Sequence, residues 1–392
     1  MKLLYSIFFF VLIFSGCGGN ESPNSATSTN EQADNQETTV EIDPIIQIDT
    51  NLTAFANFLA ADTSLLRFQD SNLLNEYLKW MEGNQAKYEK IRLNRLEKIG
   101  NWNAENLSQL KSSDTSFLFY PLAGGDFIHM NFLFPKANNY LMLALEPVGS
   151  IPNLNDKINH KDISYLMHVD NVLRNIYRQS YFVTKNMDAD MSNSKYVDGV
   201  LPLLLWGMGK TDHSIVSLNY FDIDSSGSKV DAKTSQKPTG VRIEFIKNGT
   251  TKIKSVEYLS VNIVNSSIKK NPEIKSYLMK TVSDQCNSFI KSASYILHYK
   301  SFSEMRDLIL SKTKYHLQDD TGIPFKYFDS TFNASLFGDY VIPVEDFDPQ
   351  LFQKDLDKAY KDSLLFKGEL PFSMGYHWGT RKQNQMVFSK TN

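Results

Sequence analysis

In FYPLAGGDFIHMNFLFP, residues 119–135, a carboxylate and an imidazole stand three positions apart, Asp126 and His129. Residues at i and i+3 share one face of a helix, so a carboxylate–imidazole pair for acid–base work is geometrically allowed. Gly124 and Gly125 just before them permit close backbone approach, and the free N–H groups of a helix start favour an anion or a sugar. Asp126 equally fits a plain N-cap, which stabilises a helix by about 1 kcal/mol without any ligand. Glu146, in LALEPVG, closes a second apolar run. It either faces Asp126 across the top of a sheet, completing an acid–base pair, or is a paired structural charge.

Other candidates are weaker. QDDTGIP, residues 318–324, sets Asp319 and Asp320 before Gly322. It lacks the regular spacing of a calcium loop and reads as a turn. GYHWG offers Tyr376, His377 and Trp378, either to stack on a sugar or base or to close a core. WGMGKTDH resembles a phosphate loop only in part, because Leu204 stands where that pattern needs glycine. The seven histidines show no metal-ligand spacing, and no G-x-S-x-G is present. No metal and no cofactor are expected. Cys286 reads as a small buried residue.

The elements that must position these groups follow from the hydrophobic pattern. Residues 51–111 read as helices, with Ser71 as an N-cap and a stop at Gly100. TSFLFYPL is a buried strand, DFIHMNFLF a short helix stopped by Pro135, and NYLMLALEPVG a second buried strand. Strand, helix and strand in so few residues predict a βαβ unit with a parallel pair. AGGD then lies at the carboxyl end of a strand, where α/β folds place ligands. KDISYLMHVDNVLRNIYRQSYF is a long amphipathic helix, and VLPLLLWGM reads as a further buried strand. SIVSLNYFDID, GVRIEFIKNG and TKIKSVEYLSVNIVN alternate as an antiparallel meander. ASYILHY is a candidate strand, Ser301 and Glu304 form a capping box, DPQLFQKDLDKAYKDS is a polar helix, and FSMGYHWG with NQMVFSK is a closing hairpin. The fold class is mixed α/β, with a helical N-terminal part, a βαβ-type sheet core, a meander and a C-terminal hairpin.

The opening MKLLYSIFFFVLIFSGCGGN has Lys2, then an apolar run from Leu3 to Phe14 that is too short to span a bilayer, then Ser15, Gly16 and Cys17. It resembles the lipobox signal of bacterial lipoproteins, with Phe14 where leucine is usual. The resemblance implies a signal peptide over 1–16, cleavage before Cys17 and acylation of its sulfur, hence a membrane partner through an N-terminal lipid. Gly18 implies outer-membrane placement in a Gram-negative cell. Residues 17–44 hold the lipidated cysteine and an acidic, aromatic-free tether predicted to be disordered, with a reach on the order of 30 Å. Residues 45–392 form a globular body, with a break near 112 or 212 if it is divided.

Of 392 residues, 41 are Lys or Arg and 44 Asp or Glu, for a net charge of −3. With no basic patch visible along the chain, a nucleic-acid partner is not expected. The body segments FYPLAGGDFIHMNFLFP, YLMLALEPVG, QDDTGIPFKYF and LPFSMGY resemble an uncharacterised group of secreted bacterial proteins. That likeness lends no catalytic assignment. The expected function is a lipid-anchored envelope protein with a binding or structural role toward an envelope ligand or protein partner. The alternative is an envelope polymer or glycan hydrolase in which Asp126 and Glu146 are acid and base and His129 supports them.

Overall fold

A computed structural model describes residues 46–63, 66–107, 117–152, 157–182, 187, 197–232 and 237–391. Cys17, the signal segment, the tether and a break near 112 lie outside the described residues. The body is mixed α/β, as the sequence predicts, and residues 46–392 form one compact unit.

The chain enters through three helices. α1 (Thr50–Leu59) and α2 (Ser71–Ile91) are capped by the side chains of Asp49 and Asp70, so the cap expected at Ser71 lies one residue earlier. α2 runs through a π-helical turn, Arg92–Leu96, into α3 (Glu97–Asn106). Gly100 therefore does not stop a helix. Trp102 and Asn103 beyond it are buried, and the Asn103 amide donates to the Leu133 carbonyl at 2.8 Å. That tertiary contact carries the helix past a residue of poor propensity.

The sheet core follows. β1 (Phe117–Pro121), α4 (Phe127–Leu133) and β2 (Asn139–Ala144) form the expected unit, with β1 and β2 parallel and paired from Phe117–Asn139 to Pro121–Leu143. Next come α5 (His160–Gln179) and α6 (Leu201–Lys210). α6 is the segment read as a strand. Pro202 suits a first helical turn, and every residue from Leu201 to Met208 is buried. A helix apolar all round has no amphipathic period, so a short apolar run cannot be told from a strand by pattern.

The meander comprises β3 (His213–Ile223), β4 (Lys229–Asp231), β5 (Gly240–Lys247) and β6 (Lys254–Ser260), with antiparallel pairing of β3 to β4 and β5, and of β5 to β6. Helices α7 (Asn265–Lys270) and α8 (Pro272–Thr281) lead to β7 (Cys286–Ile290). ASYILHY is not a strand: its Ser294 and Tyr295, like Ser292 just before it, have left-handed backbones, φ 51°, 57° and 51°, which no extended run allows. α9 (Ser303–Lys312) starts without a side-chain cap. The Glu304 N–H is instead satisfied by Asn265 of α7, so the Ser301–Glu304 box does not form.

β8 (Thr313–Gln318), β9 (Phe332–Gly338), α10 (Lys354–Tyr360), β10 (Phe366–Gly368) and β11 (Asn384–Lys390) complete the fold. No closing hairpin forms. FSMGYHWG is a loop, and β11 inserts antiparallel between β8 and β9.

The eleven strands run in the order β10-β9-β11-β8-β7-β1-β2-β6-β5-β3-β4. The five central strands, β8-β7-β1-β2-β6, are parallel. Side-chain alternation splits β1 and β2 between two cores. Leu118, Tyr120, Tyr140 and Met142 pack on the α1–α6 side; Phe119, Leu141 and Leu143 pack with Tyr277, Leu278, Met305 and Ile309 of α8 and α9. Strands covered on both faces explain the near-continuous apolar runs of the sequence. No helix among the described residues is long and apolar enough to cross a membrane.

Candidate functional site

The chain starts its parallel strands in the middle of the sheet. From β1 it adds β2 and then β6 on one side, and then returns across β1 to add β7 and β8 on the other. At such a reversal the connections leave in opposite directions, and a crevice opens between the carboxyl ends of the two central strands. Here those are β1 and β7. A cavity of about 480 Å³ lies at this place, bounded by the ends of β1, β2 and β7 and walled by Tyr181, Phe182, Phe347 and Tyr376. Its volume is within the range of small-molecule sites.

AGGD forms the β1 side. Leu122 and Gly124 have φ 62° and 53°, and the Ala123 N–H is held by the Leu143 carbonyl at 2.9 Å. A Cβ on Gly125 would come within 2.9 Å of Leu203, so this loop is pressed against α6. Asp126 caps α4 through the His129 N–H, as one of its two readings held. It does more than cap. Its carboxylate also accepts from His129 Nδ1 at 2.8 Å, from the Tyr120 hydroxyl at 3.1 Å and from Lys291 Nζ at 2.5 Å. Lys291 follows β7 directly and also donates to the Ser180 carbonyl.

This network is fully desolvated: Asp126, His129 and Lys291 are 2%, 0% and 3% exposed. Burial alone would raise the Asp126 carboxyl, but the charges and donors of His129 and Lys291 reverse that and hold it well below the ordinary range. Burial drives the His129 imidazole down to about 4 against the pull of Asp126, so it is neutral at pH 7. Its Nδ1–H is committed to Asp126, and Nε2 is buried without a partner. Burial likewise lowers the Lys291 ammonium, opposed first by Asp126. Asp126 and Glu146 line the same cavity; His129 is not in its lining. Glu146, just past β2, is buried, and its backbone carbonyl accepts from Tyr258 at 2.7 Å.

The β7 side is pinned by the loop after β8. Asp319 accepts from the Ser292 N–H at 2.8 Å and from Thr321, whose hydroxyl accepts from the Ala293 N–H at 2.7 Å. Asp320 accepts from the Tyr295 hydroxyl at 2.6 Å and from Asn384 at 2.9 Å. The QDDTGIP acids thus hold a left-handed loop in place. Burial, then the charge of Asp320, pushes Asp319 up to about 7. The Tyr376 hydroxyl donates to the Ser292 carbonyl at 2.9 Å, and its ring meets Tyr181 edge-on at 4.7 Å. Ser292 lines the cavity, while its hydroxyl oxygen is buried without a hydrogen-bond partner. Backbone strain of this kind, at Leu122, Ser292, Ser294 and Tyr295, persists where surroundings over-determine it and clusters at functional sites.

Lys291, Tyr120 and Ser292 were not singled out by sequence reasoning. One signal was available for Lys291: a lysine immediately after the apolar pair Phe289 and Ile290, at a strand end. No family model matches the chain, and no curated protein does.

Proposed function

We propose that the protein is a lipid-anchored envelope protein, acylated at Cys17, whose body binds a small hydroxyl-bearing ligand with one flat face, a sugar or a nucleoside, in the crevice between β1 and β7. The observation that supports this most is the coincidence of the strand-order reversal with a carboxylate, Glu146, past the end of β2. In doubly wound sheets an acid roughly 20 residues beyond the glycine loop accepts from ribose hydroxyls, and Gly124 and Glu146 have that separation. The aromatic walls provide a face for a ring.

Hydrolysis by Asp126 and Glu146 fits less well. A general acid must carry a proton near working pH, whereas Asp126 is held ionised by four donors. Its role is to orient the β1 and β7 loops.

Titration calorimetry with ribonucleosides, 2′-deoxyribonucleosides, hexoses and alditols tests the reading. One of these classes is expected to bind, with a loss of tenfold or more in E146Q. Absence of binding by every class, or equal affinity in E146Q, would overturn it. The anchor has its own test: Cys17→Ser is expected to move the protein from the membrane to the soluble fraction, and unchanged partitioning refutes acylation.

A further inference from the structure

A cavity of about 1090 Å³ that shares no lining residue with the crevice is a groove of opposite character to the chain's net charge. Its lining holds seven cations, Lys87, Lys90, Arg95, Lys98, Arg174, Arg178 and Arg381, against one carboxylate, Asp170. They come from α2 and its π-helical continuation, from α3, from the last turns of α5, and from the loop before β11. Only Arg95 is buried. Its guanidinium donates to the carbonyls of Ser373 at 2.9 Å, Ile176 at 3.0 Å and Arg178 at 3.2 Å, with no carboxylate, so a fixed positive charge underlies the floor. Asp170 is taken by Lys87 at 2.5 Å. Lys90, Lys98 and Arg381 have no carboxylate partner among the described residues, and Arg381 is held at φ 57°.

We infer that this groove binds an anionic glycan. Three features select that class. The cations are strung out: at 1.5 Å per residue, Lys87 and Lys98 are about 16 Å apart along the helix, which suits repeated charges on an extended chain and not one phosphate. The groove is concave, unlike a face laid on a flat lipid surface. Among the cations stand the Trp378 ring, carrying Arg178 on its face at 5.6 Å, and the amides of Asn94, Asn171 and Gln383. A ring for stacking and amides for hydroxyls are what a sugar chain needs beyond charge.

The test is binding of the purified protein to polygalacturonate, dextran sulfate and neutral dextran at low and high salt, with a single-stranded oligonucleotide and anionic phosphatidylglycerol vesicles as competitors of other classes. Binding of one or both charged glycans is expected, weakened by salt as surface charge is screened, with none to dextran. K90E/K98E/R381E, three exposed positions, is expected to lose tenfold or more while keeping the parent melting temperature. K269E/K270E on α7 should bind as the parent does. The inference is overturned if neither charged glycan binds, if both variants lose equally or not at all, or if the oligonucleotide or the vesicles bind more tightly than either glycan.

Discussion

At the scale of single residues, the outcome turns on Asp126. Its position one residue before a short apolar helix made an N-cap legible, and the cap is there. What the pattern could not show is that Lys291, far along the chain, would reach the same carboxylate at 2.5 Å. A contact across two strand ends depends on which strands become neighbours, and local periodicity carries no such information. Removing one member of a desolvated ion pair leaves the other uncompensated, which costs roughly 3–5 kcal/mol. We expect D126N to lower stability by that amount in chemical denaturation, and D126N/K291M to recover part of the loss. Additive losses in the double variant would contradict the coupling. The basic groove was missed for the same reason. Lys90, Arg178 and Arg381 belong to separate segments, so the mixed-charge pattern along the chain concealed a positive surface.

At the scale of elements, legibility followed the apolar period. β1, α4 and β2 were readable because two continuous apolar runs bracket a short helix with Pro135 behind it. α6 was not, because burial on all sides erases the period. Its glycines show what the helical form requires. A Cβ at Gly209 would come within 2.5 Å of the Ala56 carbonyl oxygen of α1, and one at Gly207 within 3.1 Å of Phe127. We expect G209A to destabilise by about 1–3 kcal/mol through forced separation of α1 and α6. Gly83, in mid-α2, meets nothing within 4 Å. There G83A should stabilise by about 0.5–1 kcal/mol through helix propensity alone. Denaturant midpoints of the two variants should therefore shift in opposite directions.

At the scale of the whole molecule, acid response follows from buried imidazoles. Burial lowers His129, His213, His298 and His316 to about 4. Each stays neutral in the fold, while in the unfolded chain it gains a proton near 6.5. Each therefore withdraws stability as pH falls from about 6.5 to 4, by at most roughly 1.4 kcal/mol per pH unit. Asp319, raised to about 7, and Asp320, also raised, act in the opposite sense, because their folded carboxyls take protons before the unfolded ones do. His377, also lowered by burial, joins the imidazoles, and Asp162, also raised by burial, joins the carboxyls; five groups oppose three, so the net expectation is a falling melting temperature from pH 6.5 to 4. A melting temperature that is flat or rises over that interval would refute the balance.

The placing of β11 has a consequence for how such a body can be made. On a ribosome that delivers the chain from its amino end, β8 is complete while Asn384–Lys390 is still unmade, and β9 and β10 have no place to dock until it arrives. The unzipped flank of β8 is then an invitation to wrong partners. A holdase that shields this flank during synthesis or transit should raise the yield of native protein more than one that acts on the finished chain.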